Sequence, residues 1–291
     1  MAITAEMVKK LREQTGAGMM DCKKALTETN GDYEKAVTLL RQKGVAVAAK
    51  RESKSASQGL IACFIAPDMN VGALLEANCE TSFVAKTDEF VQLVRNLARH
   101  VAETGCCTNV DELMAQPYPG GPTVRDRFTE LMGKIGEKMA ISRFVRIATG
   151  GIIGSYVHTG DQIAVMVELT GMSPSDDGKN LAKDIAMHIS WSNPDYLRRE
   201  DIPADVIEKE RDIHRQWAVK EGKPENIIDR IVDGRMREFY SRACLLEQSF
   251  IKDEDQTIGD LIKSAAAKTG ENLAVGKYVR YRVGETSVVE D

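Results

Sequence analysis

Gly59-Leu60-Ile61-Ala62-Cys63-Phe64 and Gly151-Ile152-Ile153-Gly154-Ser155-Tyr156 stand 92 residues apart, and the segments that follow them align without a gap. Val71 meets Ile163, Glu76 meets Glu168, Leu93 meets Ile185 and Leu97 meets Ile189. A second pairing runs at an offset of 134: Gly136-Glu137-Lys138-Met139-Ala140 meets Gly270-Glu271-Asn272-Leu273-Ala274, and Arg143-Phe144-Val145-Arg146 meets Lys277-Tyr278-Val279-Arg280. The two offsets differ by 42 residues. The core therefore reads as two copies of one α+β unit, 59–150 and 151–291, the second with an insertion between about residues 193 and 258. Internal similarity of this kind dictates the architecture. Two copies present two similar edges, which leans toward binding a partner rather than single-pocket chemistry.

Within each copy the pattern predicts the same order. Residues 59–66 and 71–78 read as a β-hairpin around Pro67-Asp68-Met69-Asn70. Thr87 caps a helix with Phe90, Leu93, Val94, Leu97 and Val101 on one face. The stretch from Pro117 to Pro122 breaks the chain, a helix from Thr123 carries Val124, Phe128, Leu131, Met132 and Ile135, and a strand follows at 141–148. The second copy repeats this with a hairpin at 151–170, a helix at about 178–191, a helix at 257–268 and a strand at 275–283. The insertion, about 197–243, is two charged helical stretches broken at Gly222-Lys223-Pro224. Val206, Ile213 and Trp217 can face Ile227, Ile231 and Phe239 across an antiparallel helical hairpin projecting into solvent. The bland alternative is a decorative excursion.

Ahead of the core, residues 1–44 read as three short helices. Thr4 caps the first, with Met7, Val8 and Leu11 on one face; Met19, Cys22, Ala25 and Leu26 make the second face; Asp32 caps a third bearing Tyr33, Ala36, Val37 and Leu40, ended by Gly44. Forty residues make a small core, so this unit is expected to lean on a partner or its neighbour. Residues 45–58 shift to Ala, Lys and Ser and read as a linker.

At 291 residues the chain can bury a sizeable core, and its apolar and charged fractions are those of an ordinary globular protein. No apolar run is long enough to span a bilayer, and the N-terminus lacks the basic and apolar regions of a signal peptide. Six cysteines without Cys-x-x-Cys spacing read as reduced thiols, which places the protein in the cytoplasm. A net charge of −5 argues against direct nucleic-acid binding. No phosphate-binding loop and no Gly-x-Ser-x-Gly elbow is present. Glu210 and His214 at i,i+4 read as a solvated pair rather than half a metal site, and Cys106-Cys107 as two packed thiols rather than a redox pair. No cofactor, metal or catalytic residue is expected.

One segment has no place in the pattern. Ser82, Phe83 and Val84, within Thr81-Ser82-Phe83-Val84-Ala85-Lys86, precede the Thr87 cap and fall outside the helix face. On pattern alone Phe83 reads as a loop aromatic tucked into the core; exposed at a rigid loop tip, it would be an interface anchor. Met19 and Met20 are adjacent and point about 100° apart on a helix, so both cannot be core.

Leu11-Arg12-Glu13-Gln14-Thr15-Gly16-Ala17-Gly18-Met19-Met20-Asp21-Cys22-Lys23-Lys24-Ala25-Leu26 closely resembles the N-terminal signature of the bacterial elongation factor Ts family. Thr81 to Lys86 resembles that family's Thr-Asp-Phe-Val-Ala-Lys motif. Lys134-Ile135-Gly136-Glu137, Gly154-Ser155-Tyr156-Val157-His158, Ile185-Ala186-Met187-His188 and Gly234-Arg235-Met236 fit later segments. The resemblance implies a ubiquitin-associated-like three-helix domain, a two-subdomain core and a coiled-coil hairpin. It implies guanine-nucleotide exchange on the translational GTPase elongation factor Tu. Arg12, Met19 and Met20 then contact a helix of the GTPase; Ser82 and Phe83, with Val84 beside them, wedge near its magnesium site; Ile135 and Gly136 reach its nucleotide side; His158 meets its third domain. Ser82 stands where the family has an acid, which shifts more of the wedge onto Phe83. The alternative implied by that departure is a scaffold that binds through the three-helix domain with exchange lost.

Overall fold

The offsets of 92 and 134 carry one set of elements onto another in the computed structural model, which describes residues 3–105, 107–118 and 123–285. Three helices come first: α1 (Ala5–Thr15), α2 (Met19–Glu28) and α3 (Tyr33–Arg51). Then follow β1 (Gln58–Ile65), β2 (Val71–Cys79), α4 (Asp88–Thr104), α5 (Val110–Ala115), α6 (Val124–Ile135) and β3 (Met139–Ala148). The second series is β4 (Ile152–Val157), β5 (Ile163–Thr170), α7 (Asp176–Ser192), α8 (Ala204–Lys220), α9 (Glu225–Ala243), β6 (Ser249–Phe250), β7 (Asp253–Thr257), α10 (Ile258–Thr269) and β8 (Ala274–Arg282). Helices and small antiparallel sheets make the fold α+β.

The two three-stranded sheets run β1-β2-β3 and β4-β5-β8, both antiparallel, and β6 pairs with β7 in a small ribbon. Each breaks register at the matching glutamate, beside Glu76 in one and at Glu168 in the other. Gly59 and Gly151 each cross the facing strand so closely that a Cβ would lie 2.2 Å and 2.1 Å from the carbonyls of Ala77 and Leu169, so no larger residue fits. Thr123 and Thr257 cap α6 and α10 through backbone N–H groups at 3.1 Å, and both helices end at a left-handed glycine. The two sheets also exchange reciprocal bonds: Ile61 N–H donates to the Asp161 carbonyl at 2.8 Å, and Ile153 N–H to that of Met69 at 2.6 Å. Those pairs are related by the same offset, so a local two-fold relates the halves.

Alternation along the strands sorts side chains into two layers. Ile61, Leu74 and Ile147 meet Ile153, Ala164, Met166 and Tyr281 between the sheets. On the outer faces, Leu75 and Ala77 pack under Phe90, Leu97 and Phe128 of α4 and α6, and Val165 and Val167 under Ile185, Ile189 and Ile262 of α7 and α10. One charge is buried in the middle. Glu76, 2% exposed, accepts from Arg143 Nε at 2.7 Å, from Asn78 Nδ2 at 3.1 Å and from Gly284 N–H at 2.8 Å.

Two expectations are corrected here. The third helix does not stop at Gly44, and residues 45–51 are not linker: α3 continues to Arg51. Gly44 lies mid-helix because α6 crosses there, with Gly133 so close that its Cβ would sit 2.8 Å from Gly44 Cα; the alanines beyond are strong helix formers. The three-helix unit thus leans on its neighbour. In the insertion, α8 and α9 run antiparallel, tied by Arg211–Asp233 and Arg215–Asp229 at 3.0 and 2.6 Å. Their seam is built on Ala218, Ile228, Val232, Met236 and Phe239. Ile213, Trp217 and Ile227, expected in that seam, are exposed, and Trp217 lies beneath the Arg235 guanidinium. The helical phase selects Ile228 over Ile227, which turns its neighbour outward. Glu210 and His214 form a loose pair at 3.8 Å.

His188, buried in α7, receives the Ile251 N–H at Nδ1 (3.3 Å) and donates from Nε2 to Gln248 Oε1 (2.9 Å). Burial lowers its pKa, and Nδ1 has no room for a proton opposite another donor. The folded state therefore holds it neutral, while the unfolded chain protonates it below about pH 6.5. Stability from this group is present at neutral pH and lost as pH falls below that value. The unfolding free-energy gap between wild type and His188→Gln should narrow from pH 7.5 to pH 5.5 in urea titrations; a gap that widens contradicts this.

Candidate partner-binding surface

The turn after β2 is pinned at both ends and along its base. Thr81 N–H and hydroxyl bond the Glu137 carboxylate at 3.0–3.1 Å. Thr87 Oγ donates to the Val84 carbonyl at 2.8 Å, closing a tight turn at Val84–Lys86 just ahead of α4. Val84 and Ala85 are buried in the core between β2, α4 and α6. With the chain held so, Ser82 and Phe83 face solvent, and Phe83 is 84% exposed. The tucked reading of Phe83 is overturned. The inward residue of the motif is Val84, so it cannot serve as a direct contact: it is the anchor under the turn. Leaving an aromatic ring in water forgoes about 1.5–3 kcal/mol of burial, so folding alone gives no account of Phe83.

Neighbouring segments converge on this turn. Glu80 accepts from Arg51 Nη1 at 2.8 Å and from Lys138 N–H at 2.7 Å, and Lys138 Nζ donates to the carbonyls of Glu52 and Lys54 at 2.7 and 3.0 Å. The end of α3, the Phe83 turn and the start of β3 are thereby joined. Lys134 pairs with Glu89 at the start of α4. Ile135 is half-buried against the core, and Gly136 takes a left-handed conformation (φ 80°) with open space within 4 Å of where a side chain would be. The α1–α2 turn lies beside the same helix end: a Cβ on Gly16 would be 3.8 Å from Lys134 Nζ. Met19 and Met20, on the helix leaving that turn, are 58% and 62% exposed, and Arg12 is exposed on α1. Met19 was expected on the packed face of α2; Cys22, Ala25 and Leu26 make that face alone.

His158 belongs to the other sheet. It is exposed at the end of β4, its Nδ1 3.1 Å from the Tyr156 hydroxyl. Sequence reasoning also missed Trp191, exposed on the last turn of α7, and the acids Glu80 and Glu137 that fix the turn. The pairing of Thr81 with Glu137 was detectable, because Ser173 and Glu271 recur at the two offsets.

Burial pushes the Cys63 and Cys79 thiols up to about 11, which removes them as nucleophiles at neutral pH. Cys106 lies outside the described residues, as do 119–122 of the expected chain break. Among the described residues no group of three or more His, Cys, Asp or Glu is arranged to hold a metal ion, and no helix is long and apolar enough to cross a membrane.

The family model described as Elongation factor TS matches residues 80–285. Elongation factor Ts of Clostridium perfringens (strain SM101 / Type A) is 45% identical over 284 residues, covering 97% of this chain and 93% of that protein. Elongation factor Ts of Clostridium botulinum (strain Eklund 17B / Type B) is 43% identical with the same coverage, and that of Trichlorobacter lovleyi is 43% identical over 292 residues, covering 98% and 94%. With both the pinned Phe83 turn and most of the chain inside these matches, the protein is a translation elongation factor and belongs to the elongation factor Ts family.

Proposed function

We propose that this protein is a guanine-nucleotide exchange factor that binds elongation factor Tu in the cytoplasm and promotes GDP release by disturbing its magnesium and phosphate site. The observation that carries this reading is Phe83, a bare aromatic on a turn held rigid from both sides. A rigid exposed aromatic is the kind of residue that anchors an interface. Beside it, Ile135, Gly136 and the methionine pair on α2 supply further contact, the thioethers adapting to a partner groove. His158 supplies a separate contact from the second unit. The first three helices, ending at Arg51, then act as a ubiquitin-associated-like partner-binding domain, followed by two core subdomains, the second bearing α8 and α9 as a coiled-coil hairpin.

No catalytic residue is required. A factor that binds the nucleotide-free GTPase more tightly than the GDP-bound form lowers GDP affinity by the same ratio, because coupling between two ligands is reciprocal. Magnesium bridges phosphate oxygens and neutralises their charge, so a wedge that shifts the metal's protein ligands loosens the grip on the nucleotide. Titration calorimetry should show tighter binding to nucleotide-free elongation factor Tu than to its GDP complex, by on the order of a hundred-fold. Equal affinities would leave exchange without a driving force and favour the scaffold reading.

Ser82 tests the departure from the family motif. It is exposed beside Phe83, so a carboxylate there stays hydrated in the free protein, and stability should change by no more than about 0.5 kcal/mol. Ser82→Asp is expected to raise GDP release or leave it unchanged. A clear loss with normal folding would mean the serine is matched to its own partner, a new charge being desolvated there without a mate.

A further inference from the structure

Glu137 touches two parts of the surface at once. It follows Gly136 in the chain, and its carboxylate accepts both the backbone N–H and the hydroxyl of Thr81, two residues before Phe83. The aromatic tip and the Ile135-Gly136 tip are therefore fastened to one another by the Glu137 carboxylate, next to the Glu80–Lys138 bond that joins the same two segments at their bases. We propose that Glu137 is a positioning residue for exchange, holding the Phe83 turn at a fixed separation from Ile135-Gly136 so that both engage the GTPase together. This rests on the exchange reading given above.

Hydrogen bonds to an ionised carboxylate are shorter and stronger than neutral ones, and here one of them fixes the backbone at the entry to the turn. Without the clasp the turn keeps its lower anchors, Val84, Ala85 and the Thr87 bond. Its upper part, where Ser82 and Phe83 sit, loses the tie nearest to it, and the Glu80–Lys138 bond holds only the base of the turn. An anchor that must be ordered during binding loses part of its effect to that ordering. The deficit falls on the step in which the ring wedges, while the methionine surface on α2 is untouched.

The second unit contains its own control. Ser173 N–H donates to Glu271 Oε1 at 3.1 Å, at the positions matching Thr81 and Glu137 by the two offsets. The residue matching Phe83 is Ser175, whose hydroxyl caps α7 by accepting Gly178 N–H at 3.1 Å. The backbone half of the clasp is thus a feature of both units, and in the first a hydroxyl bond is added and the turn carries an exposed aromatic. A purely structural clasp would matter equally in both; a positioning clasp matters for exchange in the first alone.

The test compares GDP release from elongation factor Tu by full-length wild type, Glu137→Ala, Thr81→Val, the double variant and Glu271→Ala, with urea midpoints for each. Glu137→Ala is expected to slow release at saturating factor about ten-fold, equivalent to ~1.4 kcal/mol. The half-saturating concentration should stay within about two-fold, the pattern of an interaction made at the exchange step rather than in uniform binding. Thr81→Val, which keeps the backbone N–H bond and loses only the hydroxyl, should slow release in the same direction by a smaller factor, and the double variant should be no slower than Glu137→Ala, because the bond it removes is already gone there. Glu271→Ala should lower the urea midpoint by no more than Glu137→Ala does and keep the full rate. Wild-type release by Glu137→Ala, or equal slowing by Glu271→Ala, overturns the inference while leaving the exchange reading intact. If Glu137→Ala does not fold, Thr81→Val against Glu271→Ala decides by the same comparison. If wild type itself does not accelerate release, the exchange reading fails and this inference with it.

Discussion

Phe83→Ala should slow GDP release from elongation factor Tu about thirty-fold, the effect of removing an interface anchor of roughly 2 kcal/mol. The fold should hardly notice. The ring is 84% exposed, and the turn's anchors are Val84, Ala85, Thr81 and Thr87. Surface substitutions away from packed features usually stay within about 0.5 kcal/mol. Measuring exchange and urea unfolding on the same preparation separates the two roles. An early-melting variant with normal exchange would return Phe83 to the core and remove the wedge. Val84→Ala should behave oppositely, losing stability first, because its side chain lies beneath the turn.

Arg143→Ala should be the most destabilising single change, by about 3–5 kcal/mol, because it strands the buried Glu76 carboxylate. Arg143 Nε lies 2.7 Å from that carboxylate, and its guanidinium covers the Tyr281 ring 4.1 Å from the centroid. Asn78 and Gly284 N–H would remain as partners, too few to replace a formal charge. Arg143 also ties β3 to β8 by donating to the Arg282 carbonyl at 2.9 Å, so the loss falls on the contact between the two sheets. Glu76→Gln/Arg143→Met, which removes both charges, should recover much of the stability. A loss below about 1 kcal/mol in urea for the single variant would mean that water or rearrangement solvates Glu76, contrary to the burial described.

The matched halves were legible because their signals are local and periodic. Strand alternation, helix faces and the caps at Thr4 and Asp32 follow from elementary rules of turn and helix chemistry. What escaped depends on tertiary contact. Gly44 reads as a helix stop until α6 is seen to cross it at Gly133, where a glycine is needed for close approach rather than for termination. Ile227 and Ile228 are both plausible seam residues, and only the packing of α8 against α9 selects Ile228. At the surface, the sequence isolated the 81–86 segment but not its orientation. Whether Phe83 or Val84 points inward depends on Thr81, Glu137 and Thr87, residues brought together across more than fifty positions. Met19 and Met20 were recognisable as a pair that could not both be buried, since adjacent helix positions diverge; that both are exposed reflects a core already filled by Cys22, Ala25 and Leu26.

The central claim is that this chain releases GDP from elongation factor Tu by contact alone. The direct measurement loads elongation factor Tu with fluorescent GDP, adds excess unlabelled GDP and follows the signal with and without this protein at a tenth of the GTPase concentration. Exchange by contact predicts faster loss of label for the whole GTPase population, each molecule of factor serving many in turn, and a return toward the spontaneous rate with Phe83→Ala. Loss of label at the spontaneous rate, with binding of the two proteins demonstrated in the same buffer, would contradict it and leave a scaffold.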